Sequence, residues 1–164
     1  MMKHGASAAW CKCKDAAVIG RMLTAVLSLV FLFSGLSKAI SIEAMTHVVR
    51  EYMAMLGYTA LNTWATELTV GLCAAETVMG VAGLTRRFHA VAAIVMGVTI
   101  AYFTYVTYTN LTSSLGHVGS CGCFGEVISL SPEATFRKNI LLSAVALAAV
   151  ACEISAIRKK NKRQ

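Results

Sequence analysis

Apolar residues in this chain gather into four long runs separated by short polar stretches. The runs extend approximately over 19–40, 64–84, 89–108 and 139–157. Each is close to the roughly 20 residues that an α-helix needs to cross a 30 Å hydrocarbon layer. A spanning segment must satisfy its own backbone hydrogen bonds, and the alternating ten-residue pattern of a membrane barrel is absent, so the runs predict helices. Between the first two, SIEAMTHVVREYMAMLGY sets Ile42, Met45, Val49, Tyr52, Met53 and Leu56 at helical spacing, with Glu43, His47, Arg50 and Glu51 mostly on other faces. This pattern predicts a short helix lying on the membrane interface. Ser131-Pro132-Glu133 is a helix-start signal ahead of the last run, with serine as cap and proline in the first turn. The expected fold is an all-α integral membrane protein: a four-transmembrane-helix bundle of one domain, with a short interfacial helix in the first outer loop.

Composition agrees with that solvent. Of the 164 residues, 57% are apolar and 14% charged, where a soluble domain carries about a quarter charged residues. The net charge of +7 does not suggest nucleic acid, because the basic residues form short clusters beside the apolar runs, where they set orientation and meet anionic lipid. With the N-terminus inside, eleven Lys and Arg fall on the cytoplasmic side, including Arg21, Arg86, Arg87 and the basic tail. The four on the other side are Lys38, Arg50, Arg137 and Lys138. Both termini are therefore expected in the cytoplasm, and the 109–130 loop outside it. The first run is not expected to be a cleaved signal peptide, since no small-residue cleavage site follows it and three further spans do.

The candidate chemistry lies in that loop. SCGCFGE, at 120–126, sets Cys121 and Cys123 one glycine apart, the pair among six cysteines expected to face an oxidising compartment. A disulfide between residues i and i+2 closes a small strained ring, and strain makes such a bond labile. Gly122 permits the backbone angles the ring needs. His117, four residues before Cys121, would lower a thiol pKa if the loop folds back, and Glu126 would oppose it. A structural staple and a soft-metal site formed by the two thiolates and His117 are the competing readings. Cys11 and Cys13 form a second Cys-x-Cys in the basic N-terminal stretch, and Cys73 and Cys152 read as small packing residues.

Inside the spans, Glu76 stands out because a mid-membrane carboxylate is costly to bury charged. It is expected to be protonated or hydrogen-bonded to another helix, in a structural or a functional role. Glu67 is expected to pair with Lys38. Tyr102, Tyr105 and Tyr108 line the outer half of the third run. They read as an aromatic belt and packing stripe, with a quinone pocket between these rings and Met53 or Met55 as the alternative.

GRMLTAVLSLVFLFSGLSKAI resembles the first helix of DoxX-like membrane proteins. CGCFGE, followed by FRKNILL and a small-residue helix, resembles the cysteine signature of the methylamine-utilisation MauE family, the likeness running from Gly20 to Ile157. The resemblance implies a four-helix protein of the bacterial inner membrane that supports redox maturation of exported proteins. In the methylamine systems the client is methylamine dehydrogenase, and a thioredoxin-like partner is implied. The cysteine pair carries over to Cys121 and Cys123, with Phe124 and Gly125 completing the motif. The N-terminal CKC departs from that pattern. The resulting expectation is a membrane thiol-disulfide protein, a quinone being one candidate electron sink. The alternatives are a soft-metal binding or transport protein and a non-redox membrane assembly factor.

Overall fold

In the computed structural model, residues 4–112 and 131–161 are described, with side-chain surroundings for 17–112, 131–155 and 158. The described elements are α1 (His4–Ile40), α2 (Ile42–Met55), a 3-10 helix (Thr59–Trp64), α3 (Ala65–Leu84), α4 (His89–Thr112) and α5 (Pro132–Asn161). Among the described residues, four segments are long and apolar enough to cross a membrane: Ala17–Ile40, Thr59–Leu84, His89–Thr112 and Pro132–Ser155. The protein is a multi-pass membrane protein. Helix α5 starts at Pro132, where the Ala134 amide donates to Ser131 Oγ at 3.3 Å.

The four spanning helices form a ring in chain order. Helix α1 packs extensively on α3 and α5, α4 packs on α5, and the α3–α4 contact is thinner. The short 85–88 connection makes α3 and α4 antiparallel neighbours. Helix α2 packs over α3 at the end of the bundle where α4 finishes and α5 begins; we call this the α2 end.

The packing is that of a bundle in lipid. Met22, Val26, Leu29, Val78, Val98 and Leu147 are exposed on its outer surface, an arrangement that water would penalise and acyl chains do not. The interior is a modest apolar cluster of Leu27, Phe31, Ala92, Met96, Ile100, Ala146 and Ala149. Hydroxyls within the spans return to their own helix, as with Thr24 to Gly20 O at 2.9 Å, Ser28 to Thr24 O at 2.7 Å and Thr69 to Ala65 O at 2.7 Å, which satisfies them without water.

Close approach of α1 and α3 depends on glycine. A Cβ added at Gly80 would stand 2.6 Å from Leu32 Cγ and 2.9 Å from the Ser28 carbonyl oxygen, and one added at Gly35 would stand 2.9 Å from the Cys73 carbonyl oxygen. Small residues at such crossings let helix backbones meet, and that contact replaces the hydrophobic drive that lipid does not supply. Gly71, on the same helix, has nothing within 4 Å of its virtual Cβ. Gly80→Ala is therefore expected to destabilise the purified protein by about 1–3 kcal/mol through overpacking. Gly71→Ala is expected to leave thermal unfolding in detergent unchanged or slightly raised. Equal effects of the two changes would contradict the crossing.

Candidate functional site: a buried ion pair beneath an apolar cavity

Lys38 occupies the last turn of α1. Long side chains on a helix lean back toward its N-terminus, so Lys38 reaches into the bundle rather than out of it. Its Nζ donates to Glu76 Oε1 of α3 at 2.5 Å and to Ser34 Oγ, one turn earlier on α1, at 3.0 Å. The ammonium also lies 5.5 Å from the centroid of the Phe103 ring of α4, within range of a cation–π contact. Lys38 and Glu76 are 2% and 1% exposed. Glu76 is the twelfth residue of α3, about 16 Å along the axis from the start of that helix at 1.5 Å per residue. Two opposite charges thus meet deep inside the bundle, where each makes the other's burial tolerable.

This pairing corrects one expectation. Glu67 is exposed in the first turn of α3, and Lys38 pairs with Glu76 instead. The glycine-mediated approach of α1 and α3 sets the Lys38 side chain level with Glu76, two and a half turns further along α3. The carboxylate that looked costly to bury has a cation.

Polar groups continue from the pair toward the α2 end. Asn139 Nδ2 of α5 donates to Thr107 Oγ1 of α4 at 3.4 Å, and Asn110 Nδ2 of α4 donates to the Tyr52 hydroxyl of α2 at 3.4 Å. Asn110, Thr107, Thr135 and Asn139 are all buried. A chamber of about 40 Å³ adjoins the pair, lined by Ser34, Lys38, Glu76, Phe103 and Asn139 among others. Glu76 Oε2 is buried with no hydrogen-bond partner. The chamber exceeds the roughly 10–15 Å³ that one water requires, and Ser34, Lys38, Glu76 and Asn139 give its otherwise apolar wall polar partners for one.

On the other side of Lys38 lies a larger cavity of about 500 Å³. Helix α2 contributes Met45, Val49, Tyr52 and Met53, helix α3 contributes Leu68 and Leu72, and helix α4 contributes Tyr102, Phe103, Val106 and Thr107. Lys38 lines both spaces. Of the expected tyrosine stripe only Tyr102 borders the cavity. Tyr105 and Tyr108 are exposed, Tyr108 lying 6.1 Å from the Phe136 ring between centroids. Met53 borders the cavity and Met55 does not.

At the opposite end, His89 Nε2 lies 3.1 Å from Glu153 Oε2, a contact between α4 and α5 that the sequence pattern did not suggest. Glu153 Oε1 is buried without a partner, and a Cβ at Gly20 of α1 would stand 3.2 Å from it.

Cys73 is buried on α3 and Cys152 partly buried on α5, both as free thiols. Cys121, Cys123, His117, Gly122, Phe124 and Gly125 lie outside the described residues, as do the side chains of Cys11 and Cys13. Among the described residues, no three His, Cys, Asp or Glu side chains are grouped to hold a metal ion.

Fold and site together define a class: a four-helix membrane protein with an interior ammonium–carboxylate pair beside an apolar cavity. The chain belongs to the MauE family, described as Methylamine utilisation protein MauE, which it matches over residues 16–151. That segment contains Lys38, Glu76, every cavity residue and the 120–126 motif, whereas Cys11 and Cys13 precede it. The chain is also similar to Protein TlpB of Flavobacterium psychrophilum, at 29% identity over 83 residues, covering 48% of this chain. The similarity covers 21% of that relative's length. No solved structure matches the chain.

Proposed function

We propose that the protein exchanges thiols and disulfides at the membrane in support of disulfide formation in exported proteins, with Cys121 and Cys123 as the exchanging pair. The observation that carries this reading is the CGCFGE motif in a member of the MauE family, set in the segment that joins α4 to α5. Both flanking helix ends belong to the α2 end, the end that also holds the large cavity and the buried polar groups. A pair of cysteines one residue apart forms a bond that exchanges readily. The family's description points to methylamine utilisation, and the methylamine dehydrogenase maturation implied by the motif is the client process we favour, with a thioredoxin-like protein as partner.

In the exchange, one thiolate attacks a client or partner disulfide. The new S–S bond is a mixed disulfide, and one sulfur of the old bond leaves as a thiolate. The second cysteine then attacks the mixed disulfide, closing the Cys121–Cys123 bond and releasing the client as a dithiol; run in reverse, the same steps oxidise the client. His117, four residues before the pair, serves as the local base.

On this reading the 113–130 segment faces away from the cytoplasm of a bacterial inner membrane, with both termini inside, an orientation that the eleven-to-four basic split favours. In intact spheroplasts treated with reductant, a membrane-impermeant thiol reagent is expected to label Cys121 or Cys123 and to spare Cys11 and Cys13. The reverse labelling would overturn the orientation. The exchange itself is tested by the thiol state of an exported disulfide-containing client in cells that carry serine at both loop cysteines.

A further inference from the structure

We propose that the cavity between α2, α3 and α4 binds an isoprenoid quinone, with a ring carbonyl accepting a hydrogen bond from Lys38 Nζ and the prenyl tail leaving toward lipid. The proposal deepens the thiol-exchange reading, on which the quinone's role as electron acceptor rests. In that role two thiols become one S–S bond, and their two electrons and two protons convert the two quinone C=O groups to C–OH.

Four features of the cavity select this ligand. Its volume of about 500 Å³ falls in the range of sites that hold small molecules, about 300–1,000 Å³. Its walls are aliphatic and aromatic, Val49, Met53, Leu72, Tyr102 and Phe103 among them, so the body of the ligand is apolar. The lining residues with polar groups are Lys38 and Thr107, together with Tyr52, Tyr58 and Tyr102. Two of the three ammonium protons go to Glu76 and Ser34, leaving one donor for a ligand oxygen. Lastly, the cavity borders both sides of the thin α3–α4 seam, and Leu68 and Tyr102 on its two lips are exposed on the outer surface. A ligand dissolved in the bilayer therefore has an entrance between α3 and α4.

A phospholipid fits the same walls less well. The Lys38–Glu76 pair is neutral as a unit and does not draw a phosphate, and a charged headgroup at this depth would lose its hydration. A fatty-acid carboxylate would have to compete with Glu76 for the ammonium. A neutral acceptor on a flat ring meets neither objection.

The test uses the full chain purified in detergent, with decylubiquinone and a short-chain menaquinone analogue as probes and oleate and phosphatidylglycerol as competitors. Saturable binding at one probe per chain is expected for at least one quinone, with at least a tenfold weaker Kd in Val49→Trp and Val106→Trp. These variants fill the cavity and leave the ion pair intact. Met22→Trp, on the lipid-facing surface, is expected to bind as wild type does. A photoreactive quinone bound to the wild-type protein is expected to label the 45–58, 68–72 and 102–107 segments, a readout that does not depend on any variant folding. Non-saturable uptake, labelling spread over the outer surface, or displacement by equimolar oleate or phosphatidylglycerol would overturn the proposal. The Cys121→Ser/Cys123→Ser variant is expected to bind the probe normally. Quinone binding without thiol exchange would thus sink only the exchange reading, and exchange without quinone binding only this one.

Discussion

Lys38→Met is expected to remove most of the folded protein from the membrane. The substitution keeps the length and apolar stem of the side chain but leaves the Glu76 carboxylate, 1% exposed, without its cation. Breaking a buried ion pair on one side costs about 3–5 kcal/mol, a large share of the roughly 5–15 kcal/mol that holds a typical fold together. Lys38→Met/Glu76→Met is expected to recover stability to near wild type, because apolar residues of similar volume replace a buried pair with little or no loss. Glu76→Gln is expected to fall between them, since its amide oxygen still accepts from Nζ but the countercharge is gone. The check is thermal unfolding in detergent, followed by monodispersity on size exclusion. A Lys38→Met protein as stable as wild type would mean that the pair does not hold α1 to α3.

Those substitutions address the part of the site that the sequence showed only in fragments. The spanning helices were legible because lipid demands long apolar runs, and the four runs of the pattern correspond to the spans of α1, α3, α4 and α5. Their ends were less so. The start of α5 at Pro132 was marked by Ser131-Pro132-Glu133, whereas the end of α4 carried no such mark. Thr109 to Thr112 continue α4 beyond the expected boundary at residue 108, with Thr109 and Thr112 hydroxyls returning to Val106 and Tyr108 carbonyls.

Lys38 and Glu76 were each conspicuous, but their pairing depends on how far α1 and α3 slide past one another. That register is set by contacts at Gly35, Gly80 and Gly83, which no periodicity encodes. The tyrosine stripe divides for a simpler reason. Residues three apart fall short of a 3.6-residue turn, so each successive ring is rotated by about 60° around the helix. Tyr102 therefore borders the cavity while Tyr105 and Tyr108 turn away. Asn110 and Asn139, at the edges of the third and fourth runs, carry a signal of another kind. A lone amide at the edge of an apolar run marks a position that finds a partner on another helix, and these two meet Tyr52 and Thr107.

The exchange reading makes the second large prediction. With one cysteine of the pair replaced by serine, the mixed disulfide formed by the other has no resolving thiol and accumulates. Cys121→Ser or Cys123→Ser is expected to retain a covalent adduct with an exported client or thioredoxin-like partner, one variant more than the other. The double variant is expected to insert and fold, because the four spanning helices and the Lys38–Glu76 pair are untouched, while its client collects in the wrong thiol state. A purely structural disulfide would instead lower the melting temperature of the double variant and leave the client unchanged. Loss of a tightly bound soft metal, with no adduct in either single variant, would mark a metal site.

The measurement that bears most directly on the exchange is a non-reducing gel of mass-tagged thiols on wild type, the two single variants and the double variant, probed for the protein and for an exported client. The predicted result is a reductant-sensitive adduct in at least one single variant and a shifted client thiol count in the double variant. No adduct in either single variant, with client thiols identical in all four strains, would contradict thiol-disulfide exchange by Cys121 and Cys123.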